Sequence, residues 1–438
     1  MQRTPHALHV SGFADRARSP LCDHRRIDAP SGRQGSPFIL SSLASGGGSA
    51  VNRFVLAVTA LVLLGASPNA AMPRWVVPID SRTTDQWLSE DAGVVYGARD
   101  GRLVALDMRD GHVVWRAAVA PETKSAVRGG AVATPTAHGL VFLRARDGRV
   151  VRRIALEAGA ERAATFPASS PIVAASPSGF VSVTRTATGV EARGWTFDGR
   201  PRWVKRFRGA PFGTLLPLGG DALGLTVEGS GDLLAIDARD GRAVAAADGV
   251  DSLIGADGRY LWFNVVGGGI KGIDLDTNRS LALHGSIVHG AARVEHGVAV
   301  AVVDGRLTRL DLRTGTTAPL KVDGRWIGGP SDGRIFIERG DGVYVRDLTP
   351  GGRQVRVARY DGQARIVAAD RGVGMVAMED GRIFVVDVAA ARPLATIATP
   401  CVAYEGFAAS GDTTLVHCDD ANHVSKLVAF DRYADRAR

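Results

Sequence analysis

The side chains that could do chemistry are few and scattered. His417, Cys418, Asp419 and Asp420, followed by His423, form the densest cluster of metal-capable groups. On an extended strand, His417 and Asp419 face one way and Cys418 and Asp420 the other, so the four cannot converge on one ion without a bulge. Zinc sites draw paired cysteines or histidines from two elements, and only one element is visible here. Gly267-Gly268-Gly269 has neither a following helix nor a Lys-Ser/Thr pair, so it reads as a strand connection and not as a phosphate loop. Ser, His and Asp all occur, but no strand-to-helix nucleophile elbow is read among them. The carboxylates that stand out are Asp107, Asp237, Asp274 and Asp311. Each ends a short apolar run: LVALD, LLAID, IKGID and LTRLD. A catalytic aspartate is expected once, whereas a group that recurs with a repeat serves the repeat. Its carboxylate can accept backbone N–H groups of the turn that follows. No residue is assigned to catalysis, to a cofactor or to a metal.

The elements that carry these aspartates are strands. From Gly93 to Val119 the chain reads as three short alternating runs joined at Asp100-Gly101 and Asp110-Gly111, dipeptides suited to the positive φ of tight hairpins. Such a meander cannot bury both faces alone, and the chain supplies copies. Counting from Asp107, further copies centre on 155, 196, 237, 274, 311, 347, 387 and 431, at steps of 36 to 48 residues. The copies at Arg153–Leu156 and Gly194–Phe197 lack the aspartate. A period of roughly 40–50 residues belongs to propeller blades, and no stretch after residue 71 has a helical period. The fold predicted is all-β, a closed propeller of four-stranded antiparallel blades. Eight blades are expected, within a range of seven to nine, and the strand Trp75–Ile79 completes the last one.

The motif G-x-L-x-A-L-D-x-x-x-G-x-x-x-W, met at Gly101, Leu103, Ala105, Leu106, Asp107, Gly111 and Trp115, resembles the PQQ-like β-propeller repeat family. The copies ending at Gly241 and Gly315 keep the Leu/Ile-Asp pair and the glycine but lose the tryptophan, and Pro201-Arg202-Trp203 keeps a tryptophan without the aspartate. The resemblance spans roughly residues 75–431. It implies a propeller, and it implies one of two branches. The quinone-dependent dehydrogenases hold their cofactor beneath a vicinal Cys-Cys disulfide and bind calcium through acidic and amide side chains. The non-catalytic branch includes the periplasmic propeller subunit of the outer-membrane β-barrel assembly machinery. This sequence has no Cys-Cys pair, and Asn264, Asn278 and Asn422 are its asparagines beyond residue 71. The resemblance therefore implies a non-enzymatic scaffold without cofactors. A PQQ-dependent dehydrogenase and a propeller that senses a small ligand in its funnel are the rival readings. Trp87, Trp195, Trp262 and Trp326 read as blade packing.

Charge adds little for nucleic acid or membrane. The formal net charge is +8, but residues 1–71 carry seven arginines and three aspartates, which leaves 46 basic and 42 acidic residues, a net of +4. The densest basic cluster, Arg144, Arg146, Arg149, Arg152 and Arg153, straddles a turn and reads as a solvated hairpin edge. Phe54–Ala66 is a short apolar run after Arg53, followed by small residues. This is the pattern of a secretory signal peptide over 51–71, cut after Ala70 or Ala71. Residues 1–50 read as disordered or untranslated, and 72–438 as the propeller domain. An exported chain meets an oxidising compartment. Cys401 and Cys418, the two cysteines after the leader, are placed to bridge across a hairpin. The expected partners are other envelope or outer-membrane proteins, with no nucleic acid, no membrane span in the mature chain and a monomeric state.

Overall fold

The computed structural model describes residues 71–431 apart from 81–88, 92, 157–170, 187–188, 209, 229–231, 258, 278, 350, 361, 371 and 411. Residues Gly65–Arg438 form one compact unit. The segments read as untranslated and as signal peptide lie outside the described residues, except Ala71.

Alternation becomes antiparallel sheet throughout, and no helix occurs among the described residues. Among the described residues, thirty-six strands assemble into nine sheets of four. Eight of these blades take four consecutive strands. In the first, β2 (Ser89–Asp91), β3 (Val94–Arg99), β4 (Arg102–Asp107) and β5 (Val113–Ala117) run from the innermost to the outermost position. The next is β6 (Ala126–Arg128), β7 (Ala131–Thr136), β8 (Gly139–Arg144) and β9 (Val150–Ala155). The ninth blade is composite. β34 (Cys401–Ser410), β35 (Thr413–Asp420) and β36 (Ser425–Asp431) come from the end of the chain, and β1 (Trp75–Pro78) from its beginning. β1 pairs with β36 in the register Trp75↔Ala429 to Pro78↔Lys426. The first strands of successive blades touch one another in order, and β34 touches β2, so the ring is closed. Closure removes the two sheet edges that an open array would expose.

The described residues form nine blades, within the expected range of seven to nine and one more than the eight preferred. The two copies without aspartate belong to real blades. In the second of the nine, however, the third strand is β8, which ends at Arg144; the segment around Ala155 is its outer strand. The turn after Arg144 has the same hydrogen bonds as the turn after Asp107: Gly148 N donates to Arg144 O as Gly111 N donates to Asp107 O, each at 2.8–2.9 Å. An arginine therefore stands where all the other copies except that at Gly194–Phe197 carry aspartate, and this hides the blade in the sequence.

Asp100-Gly101, Asp304-Gly305 and Asp332-Gly333 have positive φ at both residues, the geometry of a two-residue hairpin turn. At Asp110-Gly111 only the glycine does, with φ +73°. The buried apolar residues lie between adjacent blades. One cluster packs Val95, Val104 and Leu106 of the first blade against Leu415, Leu427 and Ala429 of the ninth. Cys401 and Cys418 form a disulfide with Cα atoms 5.6 Å apart, stapling β34 to β35. Both are buried beside Tyr404 and Val416.

Candidate functional site

The repeat aspartates sit at the ends of third strands, and each is already engaged. Asp107 accepts the N–H of Arg109 at 2.8 Å and both arms of its guanidinium, at 3.1 and 2.7 Å. Asp237 does the same with Arg239: its N–H at 2.9 Å and its Nη2 at 2.5 Å. Asp311 takes Arg313 N–H at 3.0 Å and Arg309 Nη2 at 2.6 Å. Asp274 binds the N–H of Asp276 at 3.0 Å and pairs with Arg259 at 3.1 Å, since Asp276 occupies the place of the arginine. The arginine two residues on is the partner that the sequence reading missed. Its signal was the D-x-R spacing shared by Asp107, Asp237 and Asp311. In the second blade the charges are exchanged: Arg144 Nε donates to Asp147 at 2.9 Å.

These contacts explain the acidity of the carboxyls. The Arg109 guanidinium holds the Asp107 carboxyl down at about 2. Arg239 lowers that of Asp237 in the same way. At Asp311 burial pushes the carboxyl up, and the hydrogen bond from Arg313 with its charge outweighs this and leaves it lowered. A carboxylate held ionised by a neighbouring arginine is a poor proton acceptor at neutral pH. Asp107, Asp110 and His112 do bring ligand-type atoms within 4.8 Å of one another. Yet Asp107 is held by Arg109, and Asp110 Oδ1 lies 2.6 Å from His112 Nδ1. The cluster around His417 does not converge either. Cys418 is in the disulfide, Asp419 accepts Ser425 Oγ at 2.6 Å, and Asp420 pairs with Lys426.

The glycines and tryptophans of the repeat motif lock neighbouring blades together. The indole that lies over Gly111 is that of Trp75 and not that of Trp115. Trp115 reaches the next blade, where its Nε1 donates to Ala145 O at 2.7 Å and its ring lies over Gly148, leaving a Cβ there only 2.5 Å from Cε3. Trp203, on the outer strand Pro201–Arg208 of the third blade, does the same with Ala238 O at 2.9 Å and Gly241. Trp75 donates to Met108 O at 3.0 Å and covers Gly111. Gly315 has open space around it. Trp195 and Trp326 are satisfied within their own blades, by Ser182 Oγ and Gly328 O, while Trp87 lies outside the described residues.

The second blade lacks this tryptophan. Arg152 pairs with Phe142 in the register where Trp115 pairs with Ala105 and Trp203 with Gly194. The bulk has moved one strand inward: Phe142 itself covers Gly199 of the third blade. A cleft of about 310 Å³ opens beside β9, lined by Val119, Glu122, His138, Arg153 and Ile154 among others.

A family model described as outer membrane protein assembly factor BamB matches residues 25–243, half of the chain. No curated protein matches it. Among solved structures, BamB from Moraxella catarrhalis is 15% identical, with a TM-score of 0.49 over 81% of this chain and 96% of that one. The computationally designed Ika8 protein is 12% identical, with a TM-score of 0.49 over 83% and 100%. The quinohemoprotein alcohol dehydrogenase ADHIIG from Pseudomonas putida HK5 is 12% identical, with a TM-score of 0.47 over 82% and 76%.

Proposed function

Because the chain belongs to the family described as outer membrane protein assembly factor BamB, we propose that it is an exported, non-enzymatic scaffold whose propeller recruits other envelope or outer-membrane proteins. Family membership is the observation that carries this reading. The Cys401–Cys418 disulfide supports export, since such bonds persist in oxidising compartments. The engaged state of Asp107, Asp237, Asp274 and Asp311 supports a structural role for carboxylates that recur with the repeat. They brace turns, and the loops between blades are left to vary with the partner.

Among the described residues, the disulfide does not fit the quinone clamp that the family resemblance implies. That clamp is a disulfide between adjacent cysteines. Here the bridge spans 17 residues and is buried between strands of the ninth blade, where it staples a hairpin and offers no platform for a planar cofactor.

The test of the non-enzymatic reading is direct. The exported form, incubated with the quinone, calcium and a panel of alcohols and sugars, is expected to give no dye reduction above the blank. Stoichiometric quinone with calcium-dependent dye reduction would make the protein a dehydrogenase.

A further inference from the structure

Among the blades, the second has an outer edge built unlike its neighbours. Every residue of β9 is exposed except Ile154, and Val150 and Val151 are 36% and 52% exposed. β9 ends its sheet, so the backbone groups on its outer side face solvent. Where the first and third blades place Trp115 and Trp203, it carries Arg152, followed by Arg153. Neither guanidinium makes an ion pair or hydrogen bond among the described residues. Several outer-strand cations of other blades do, Arg206 with Glu191 at 2.9 Å, Arg356 with Asp341 at 3.0 Å and Arg392 with Asp387 at 3.2 Å, whereas Arg116 on β5 pairs with none of the described residues. Glu122, the carboxylate lining the adjoining cleft, pairs with neither arginine.

Charges on an edge strand commonly serve to repel other edges. Two features set β9 apart from that use. The arginines stand beside two adjacent exposed valines, and Arg152 holds the place that Trp115 and Trp203 take in the first and third blades. We infer that β9 is a docking edge that takes an acidic, extended peptide segment of a partner protein as a fifth strand. Backbone pairing along an open edge supplies affinity, and side-chain contacts on alternate residues supply specificity. Here apolar side chains of the peptide would cover Val150 and Val151, and carboxylates would meet Arg152 and Arg153. A second copy of this chain is disfavoured as the occupant, because two such edges would bring arginines of like charge together. The inference rests on the scaffold reading and gives its partner a chemistry.

The probe is a fluorescent peptide of alternating aspartate and valine, titrated with the exported form and followed by anisotropy. Binding is expected, weakened roughly tenfold or more by Arg152→Glu/Arg153→Glu, since like charges across a contact are strongly unfavourable. Arg152→Gln/Arg153→Gln should give an intermediate loss, and it keeps the test valid if charge reversal impairs folding. Methylating alternate backbone nitrogens of the peptide should abolish binding. No binding, equal binding by the variants, or equal binding of the methylated peptide would each overturn the inference. So would stronger binding to anionic lipid vesicles than to the peptide, or a dimer in sedimentation that the charge reversal dissolves. If the peptide fails while envelope proteins still cross-link to the chain, the docking edge falls and the scaffold reading stands.

Discussion

Arg74 and Asp431 lie 357 residues apart in sequence, and Arg74 Nε donates to Asp431 Oδ1 at 2.5 Å. Asp431 is the repeat aspartate of the ninth blade, and its arginine comes from the other end of the chain. The same guanidinium reaches Thr413 Oγ1 at 2.9 Å and Asp412 at 3.1 Å. These contacts anchor the residue that precedes β1, so one side chain links the closing strand to two strands of the blade it completes. Arg74→Ala is expected to lower stability by about 1 kcal/mol, the scale of a networked surface ion pair. Deleting residues 72–80 removes the whole strand and should cause aggregation or a much lower melting temperature. An unchanged melting curve for the deletion would show that the ring does not close through β1.

The tryptophan-on-glycine contact can be isolated by two matched glycines. Gly101 and Gly148 have φ of +66° and +67°, but a Cβ at Gly101 meets nothing within 4 Å whereas one at Gly148 meets Trp115. Both alanine variants bear the same backbone strain. Gly148→Ala is therefore expected to cost about 1–3 kcal/mol more than Gly101→Ala, the usual price of overpacking. Equal losses in denaturant titration would mean that the indole moves aside freely.

Acid stability should report the braced turns. The folded-state pKa of Asp107 is depressed to about 2, below the value of about 4 for a free carboxyl. Its contribution is complete above the unfolded value and is lost as the pH falls through the folded one. Stability should thus fall between about pH 4 and pH 2. Asp107→Ala should lower it by about 0.5–2 kcal/mol at neutral pH, the range for loss of a capping carboxylate, and flatten this acid limb. A variant whose acid limb matches that of the parent would show that Arg109 does not hold the carboxyl in solution.

The bridge between Cys401 and Cys418 closes a short loop. In the chain-entropy model it stabilises by about 3 kcal/mol, and Cys401→Ser/Cys418→Ser should lose about that much. Thiol titration of the denatured, unreduced exported form should find no free thiol. Two free thiols per chain would reject the bridge in the native protein.

Much of this was readable in advance because propellers repeat. The alternating pattern of Trp75–Ile79 gave away the closing strand, and the spacing of two cysteines around a turn gave away the disulfide. Nine copies could be counted, and the preference for eight came from the family and not from the chain. What stayed hidden depends on contacts between blades. Arg144 obscured the second blade by exchanging its charge with Asp147. Trp115 follows Gly111 closely in sequence yet docks on Gly148, a relation fixed by the ring and not by spacing. The cluster Arg144–Arg153 read as a solvated edge, because only the register shows that Arg152 occupies a tryptophan's place.

Cross-linking in intact cells of the native host, followed by identification of the adducts, tests the central claim most directly. The scaffold reading predicts that this chain is linked to envelope or outer-membrane proteins, with the exported form beginning near Ala71. A chain that retains its first residues and is linked only to cytosolic proteins would contradict it.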